Sequence, residues 1–233
     1  MQSNLLALEA RGLSRGYGRR WALQGLNLQL APGRSLLLAG ANGAGKTTML
    51  RLLATTLRPT HGELSVFGQD ARSKPLEARR RIALLTHRTQ LYSDLTALEN
   101  LAITRMLLAK PADRAADCAL LDRVGLAGRG DDRVRTYSAG MRKRLAFARL
   151  ILQDADILLL DEPFGQLDPS GFQWVDEMIG DLMDAGRTLV VSTHLVDRLA
   201  PVLRSGLVLS GGKMAWVGAS RDLPAALSGT LSA

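Results

Sequence analysis

Residues 36–53, LLLAGANGAGKTTMLRLL, constrain this chain more than any other stretch. Leu36-Leu37-Leu38-Ala39 is a short continuous apolar run, the pattern of a strand buried on both faces. Gly40, Gly43 and Gly45 then turn the chain, and Lys46-Thr47-Thr48 leads into a helix-period segment from Met49 to Leu53. The spacing is G-x-x-x-x-G-K-[ST], that of a phosphate-binding loop. Glycine puts no Cβ in the way, so the backbone N–H groups of Gly40, Ala41, Asn42, Gly43, Ala44 and Gly45 can close on an anion. The helix start adds unpaired N–H groups and a positive dipole end. Lys46 has the reach for β- and γ-phosphates, the Thr47 hydroxyl can ligate Mg²⁺, and Thr48 can add a hydrogen bond. The plainer alternative is a Gly-rich turn between two elements. A strand before it and a helix after it favour nucleotide binding.

The 233 residues suffice for one sizeable domain, alone or with a subdomain. Hydrophobic residues at 46% can fill its core. The net charge of +8 permits contact with phosphates, nucleic acid or anionic lipid without choosing among them. Arg79-Arg80-Arg81 and Arg142-Lys143-Arg144 are the dense basic runs and read as solvated faces. Cys118, the only cysteine, cannot form an internal disulfide and reads as a small buried hydrophobe. Residues 1–12 lack the basic and apolar regions of a secretory signal, and no apolar run approaches the ~18 residues of a membrane span. The expectation is a soluble, cytoplasmic protein that reaches a membrane only through a partner.

Strands are expected at 5–8 and 22–30, joined by a loop at 13–18 that carries Tyr17, a candidate platform for a base. Further strands are expected at 63–68, at 82–85 ending in Thr86-His87, at 157–160 ending in Asp161-Glu162, and at 188–192 ending in Thr193-His194. Residues 74–81 and 170–185 read as helices. Between 91 and 152 the pattern is helical, with a capping box at Thr96 to Glu99, a helix from Pro111 to Gly125, and another opened by Ser138-Ala139-Gly140. Residues 207–217 form a hairpin around Gly211-Gly212, and the tail after Pro224 reads as weakly ordered. Buried strands alternating with helices predict an α/β fold with a mostly parallel sheet, whose ligands sit at the carboxyl ends of the strands. The phosphate loop, His87, Asp161-Glu162 and His194 all follow strand ends. Asp161 is the expected Mg²⁺ partner of Thr47. Glu162 can orient and deprotonate a water, and His194 can contact a γ-phosphate.

Five motifs in order make the chain resemble the ATP-binding subunit of an ABC transporter from Leu6 to about Val217. They are Tyr17, the phosphate loop, the signature Tyr137-Ser138-Ala139-Gly140-Met141, the acidic strand end running into Pro163-Phe164-Gly165-Gln166-Leu167-Asp168, and His194. The resemblance implies one nucleotide-binding domain of the P-loop ABC type over 1–233, with an antiparallel β-subdomain and a helical subdomain at about 88–150. It implies ATP and Mg²⁺ as cofactors, with Thr47, Asp161 and His87 at the metal, and Glu162, His194 and Lys46 as catalytic groups. Two copies would sandwich two ATP molecules, with Ser138 and Gly140 of one facing the γ-phosphate held by the other and Asp168 in the loop between. The partners are integral membrane transporter subunits docked on the helical region, placing the chain on the cytoplasmic face of the inner membrane, with no nucleic acid. Three positions depart from the family: His87 for Gln, Ala139 for Gly and Met141 for Gln. The combination is similar to the haem exporter ATPase of cytochrome c maturation. The alternative is a soluble ABC-type ATPase acting on ribosomes or nucleic acid, which usually carries two cassettes or a long coiled coil.

Overall fold

The computed structural model describes residues 5–231; residues 1–4, part of the stretch read for a leader, lie outside them. The first third of the chain forms β1 (Leu8–Tyr17), β2 (Arg20–Leu30), β3 (Ser35–Ala39), α1 (Lys46–Leu53), β4 (His61–Val66) and β5 (Gln69–Asp70). Then come α2 (Pro75–Arg81), β6 (Ile82–Leu85), α3 (Ala97–Leu107), α4 (Arg114–Arg123) and α5 (Ala139–Gln153). The last third holds β7 (Ile157–Asp161), α6 (Pro169–Asp184), β8 (Thr188–Ser192), α7 (Val196–Leu199), β9 (Ser205–Ser210), β10 (Lys213–Ala219) and α8 (Leu223–Leu231).

Two sheets result among the described residues. The smaller is antiparallel, in the order β2-β1-β4-β5, and the larger runs β10-β9-β3-β8-β7-β6. In the larger sheet β9, β3, β8, β7 and β6 are parallel neighbours, and β10 is the antiparallel edge. The period of two explains why its strands are apolar throughout. Leu36 and Leu38 of β3 enter the core shared with the small sheet and α1, while Leu37 and Ala39 enter the opposite core with α5 and α6. A third core, with Leu101, Leu121 and Leu145, holds α3, α4 and α5 together. The register pairs Asp161 with Ser192 and Leu38 with Ser192, so β3, β8 and β7 end side by side. No helix among the described residues is long and apolar enough to cross a membrane.

Four expectations need correction. Residues 13–17 are not a loop but the second half of β1. Gly12 at φ +60° and the register shifts after Ala10 carry the strand through bulges, and Tyr17 pairs with Arg20. The tail after Pro224 is α8, anchored by Leu223, which is fully buried. Gly206 leaves the room, since a Cβ there would stand 2.6 Å from Leu223 Cδ1. The helix expected from Pro111 begins at Arg114, because the Asp113 carboxylate accepts the Ala116 N–H at 2.9 Å and caps it there. Cys118 is half-buried, at the edge of the third core.

Candidate functional site

The phosphate loop needs its glycines. Gly40, Gly43 and Gly45 have φ of +145°, +81° and +108°. A Cβ on Gly40 would lie 2.3 Å from the Leu209 carbonyl oxygen, and one on Gly45 would lie 2.5 Å from that of Ala22. The loop is thus seated on the end of β9 and on β2. Gly45 caps α1 without a side-chain hydrogen bond, and the first turn holds no acid, which leaves N–H groups for an anion. Lys46 is buried, and its Nζ donates to the Gly40 and Ala41 carbonyls at 2.6 and 3.2 Å. Burial pushes its ammonium below the ordinary lysine range, against the pull of Glu162 and Asp161. Thr48 is half-buried in the first turn of α1.

The end of β7 meets this loop. Asp161 is 3% exposed, and each carboxylate oxygen accepts one hydrogen bond: Oδ2 from Thr47 Oγ1 at 2.8 Å and Oδ1 from Ser192 Oγ at 2.7 Å. Glu162 turns out of the strand at φ +51°, and its N–H donates to the Ser192 carbonyl at 3.0 Å. Its carboxylate faces the loop after β8, with Oε1 3.2 Å from His194 Nε2 and Oε2 accepting the His194 N–H at 3.4 Å. A carboxylate beside a fixed Asp–Thr pair can position and deprotonate a water.

The remaining expected residues surround this centre. His87 lies beside the turn after Glu162; a Cβ on Gly165 would be 3.6 Å from its Nδ1. Tyr17 is 51% exposed, with the Arg15 guanidinium 4.7 Å from its ring centroid. Ser138 caps α5 by accepting the Met141 N–H at 3.1 Å. Gly140 neighbours Leu167, 3.5 Å from where its Cβ would be. Asp168 caps α6 by accepting the Gly171 N–H at 2.9 Å; that bond, then the Ser170 hydroxyl, lowers its carboxyl below the usual range.

Three residues near the site escaped sequence reasoning. Ser192 was visible only as the last residue of a strand. Lys143 was hidden in a basic run and is buried at 2% exposure, which corrects the solvated-face reading of Arg142-Lys143-Arg144. Helical spacing was the available signal, because Lys143, Phe147 and Leu150 share one inward face of α5. Its Nζ donates to the Glu162 carbonyl at 3.0 Å. The next residue, Arg144, covers Trp174 instead. Arg198, on α7, pairs with Asp176 and lies against Phe164 and Phe172, tying the segment after His194 to the segment after Glu162.

The ABC transporter family model matches residues 23–165. The chain is 36% identical over 225 residues to the daunorubicin/doxorubicin resistance ATP-binding protein DrrA of Streptomyces peucetius, covering 95% of this chain and 68% of that protein. It is 42% identical over 184 residues to the cytochrome c biogenesis ATP-binding export protein CcmA of Xanthomonas oryzae pv. oryzae (strain MAFF 311018), covering 79% of this chain and 85% of that one. A solved dimeric ATP-binding cassette, in a post-hydrolysis state bound to ADP and Pi, shares the fold with a TM-score of 0.84 at 23% identity, over 92% of this chain and 99% of that one. The chain therefore belongs to the ABC transporter family, as an ATP-binding, ATP-hydrolysing subunit with the P-loop fold that its phosphate loop and parallel sheet foretell.

Proposed function

We propose that this ATPase binds ATP with Mg²⁺, closes head to tail with a second copy, and powers integral membrane transporter subunits on the cytoplasmic face of the inner membrane. The single observation that carries the hydrolytic reading is the Thr47–Asp161 hydrogen bond, with Glu162 next in the chain. It joins the phosphate loop to an acidic strand end. Thr47 and Asp161 would hold the cation, which screens phosphate charge when bound. Mg²⁺ takes one or two protein oxygens plus phosphates, which the joined Thr47 hydroxyl and Asp161 carboxylate can supply. His87, beside the Glu162 turn, is read as a further contributor. Lys46 is then the γ-phosphate cation, Tyr17 the base platform, Glu162 the general base and His194 its partner at the γ-phosphate.

Ser138 and Gly140 support the dimer reading. They open α5, where Gly140 neighbours Leu167, and are read as facing the ATP of a second copy. Asp168, exposed on the loop after β7, would lie between the two sites. Residues 1–233 are read as one nucleotide-binding domain with a helical subdomain at about 88–150. The membrane partner is read as docking on the helical region at about 88–150, beside a groove of about 500 Å³ lined in part by Arg88, Gln90 and Arg149. The deciding experiment is Glu162→Gln. ATP binding is expected to persist, turnover to fall about 10²–10⁴-fold, and an ATP-dependent dimer to accumulate. Turnover at the wild-type rate would remove Glu162 as the base.

For the cargo, the reading is haem export in cytochrome c maturation. Its support is the likeness to the CcmA relative, together with Ser138-Ala139-Gly140 and His87. Purification of the intact complex tests it: a membrane subunit that co-purifies and binds haem is expected, and one that binds no haem ends this assignment.

A further inference from the structure

Lys143 is a buried cation that hydrolysis as described above does not use. It stands on α5 five residues after Ser138, and it is 2% exposed. Its Nζ donates to the Glu162 carbonyl at 3.0 Å, and the same oxygen accepts the Gly165 N–H at 3.1 Å. Glu162 itself holds φ +51°, a conformation that a non-glycine residue keeps only where its surroundings impose it. Burial pushes its ammonium pKa down to about 8, against the pull of Asp161 and Glu162, and among the described residues no carboxylate lies within ion-pair distance of it. A buried ammonium without a paired acid is expensive, and an apolar side chain would fill the space more cheaply. The charge therefore has a use beyond packing.

We propose that Lys143 is a positioning residue that couples the two ATP sites of the dimer. It ties the helix opened by Ser138 and Gly140 to the backbone of the general base in the same subunit. The inference rests on the head-to-tail reading above. When Ser138 and Gly140 seat on the opposite ATP, α5 moves as a rigid rod. Lys143 then carries the Glu162 carbonyl with it and re-aims a carboxylate otherwise held toward His194. Each Glu162 thereby senses whether its own α5 has engaged the other nucleotide.

The test uses the purified full chain, with Lys143→Met as the main variant and Lys143→Arg as the rescue. Methionine keeps the stem and removes the donor; neutralising a buried charge with a residue of similar volume is usually tolerated. If it does not fold, Lys143→Gln, too short to reach Glu162, takes its place. The expected result is a fall in kcat of about tenfold or more, with affinity for a non-hydrolysable ATP analogue within about twofold of wild type. The Hill coefficient for ATP should fall to about one, and Lys143→Arg should recover much of the turnover. Wild-type kcat in the methionine variant overturns the proposal. So does a parallel loss of binding and turnover, the signature of a packing role, and so does a wild-type Hill coefficient of about one. A wild-type protein that does not hydrolyse ATP would instead bring down the reading of the whole site.

Discussion

Residues 40–45 and residues 161–168 leave strands of the same sheet, β3 and β7, with only β8 between them. The first loop is held by what its residues lack. Gly40 and Gly45 let backbone carbonyls of Leu209 and Ala22 come within 2.3 and 2.5 Å of where side chains would start. Lys46, the residue that follows the loop, bonds carbonyls five and six residues back. The second loop is held by what distant side chains supply. Ser192 orients Asp161 across 31 residues, Lys143 grips the Glu162 carbonyl across 19, and Arg198 lies against Phe164. One loop is shaped by backbone of β2 and β9 packed against it; the other is held by side chains from α5, β8 and α7. The first should fail when atoms are added and the second when they are removed.

Among substitutions that test this contrast, the largest effect should come from Gly45→Ala. The added methyl collides with the Ala22 carbonyl and disfavours the positive φ, so the loop must move. ATP affinity is expected to drop on the order of a hundredfold, read by equilibrium nucleotide binding. An alanine variant with wild-type affinity would show that the loop does not depend on close backbone approach. Lys143→Met comes next, with turnover falling while nucleotide binding holds, so that the two loops separate in one pair of measurements. Ser192→Ala should be mildest. It leaves Asp161 Oδ1 without its buried donor, a loss of about 1–2 kcal/mol, and turnover is expected to fall about fivefold to tenfold while ATP binding changes little. A defect in binding as large as the defect in turnover would erase the contrast drawn between the loops.

Much of this was readable beforehand, for reasons that follow from the contrast. The glycines, Lys46 and Thr47 form a contiguous motif whose residue types can be read within a dozen positions, although Leu209 and Ala22 supply the backbone it packs against. The strand-end acids and His194 were readable because apolar runs mark where buried strands stop. The capping box at Thr96 formed as the spacing predicted, with Glu99 N–H donating to Thr96 Oγ1 at 3.1 Å. Lys143 was missed because a basic triplet gives no sign of which member turns inward until its helix has something to pack on. The tail was missed because the leucines of α8 are attractive only to a surface that β9, β10 and Gly206 assemble. Tyr17 was recognised, yet its place in a strand depended on bulges that the linear pattern does not display.

The sequence by itself determined the phosphate loop, the buried parallel strands and the family, because these rest on residue types at fixed local spacing. Only the tertiary structure decided that Asp161 has both oxygens engaged, that Lys143 holds the Glu162 backbone, and that Gly140 sits beside Leu167. Those contacts join residues 19 to 114 positions apart, and they exist only once the sheet register has set the ends of β3, β8 and β7 side by side.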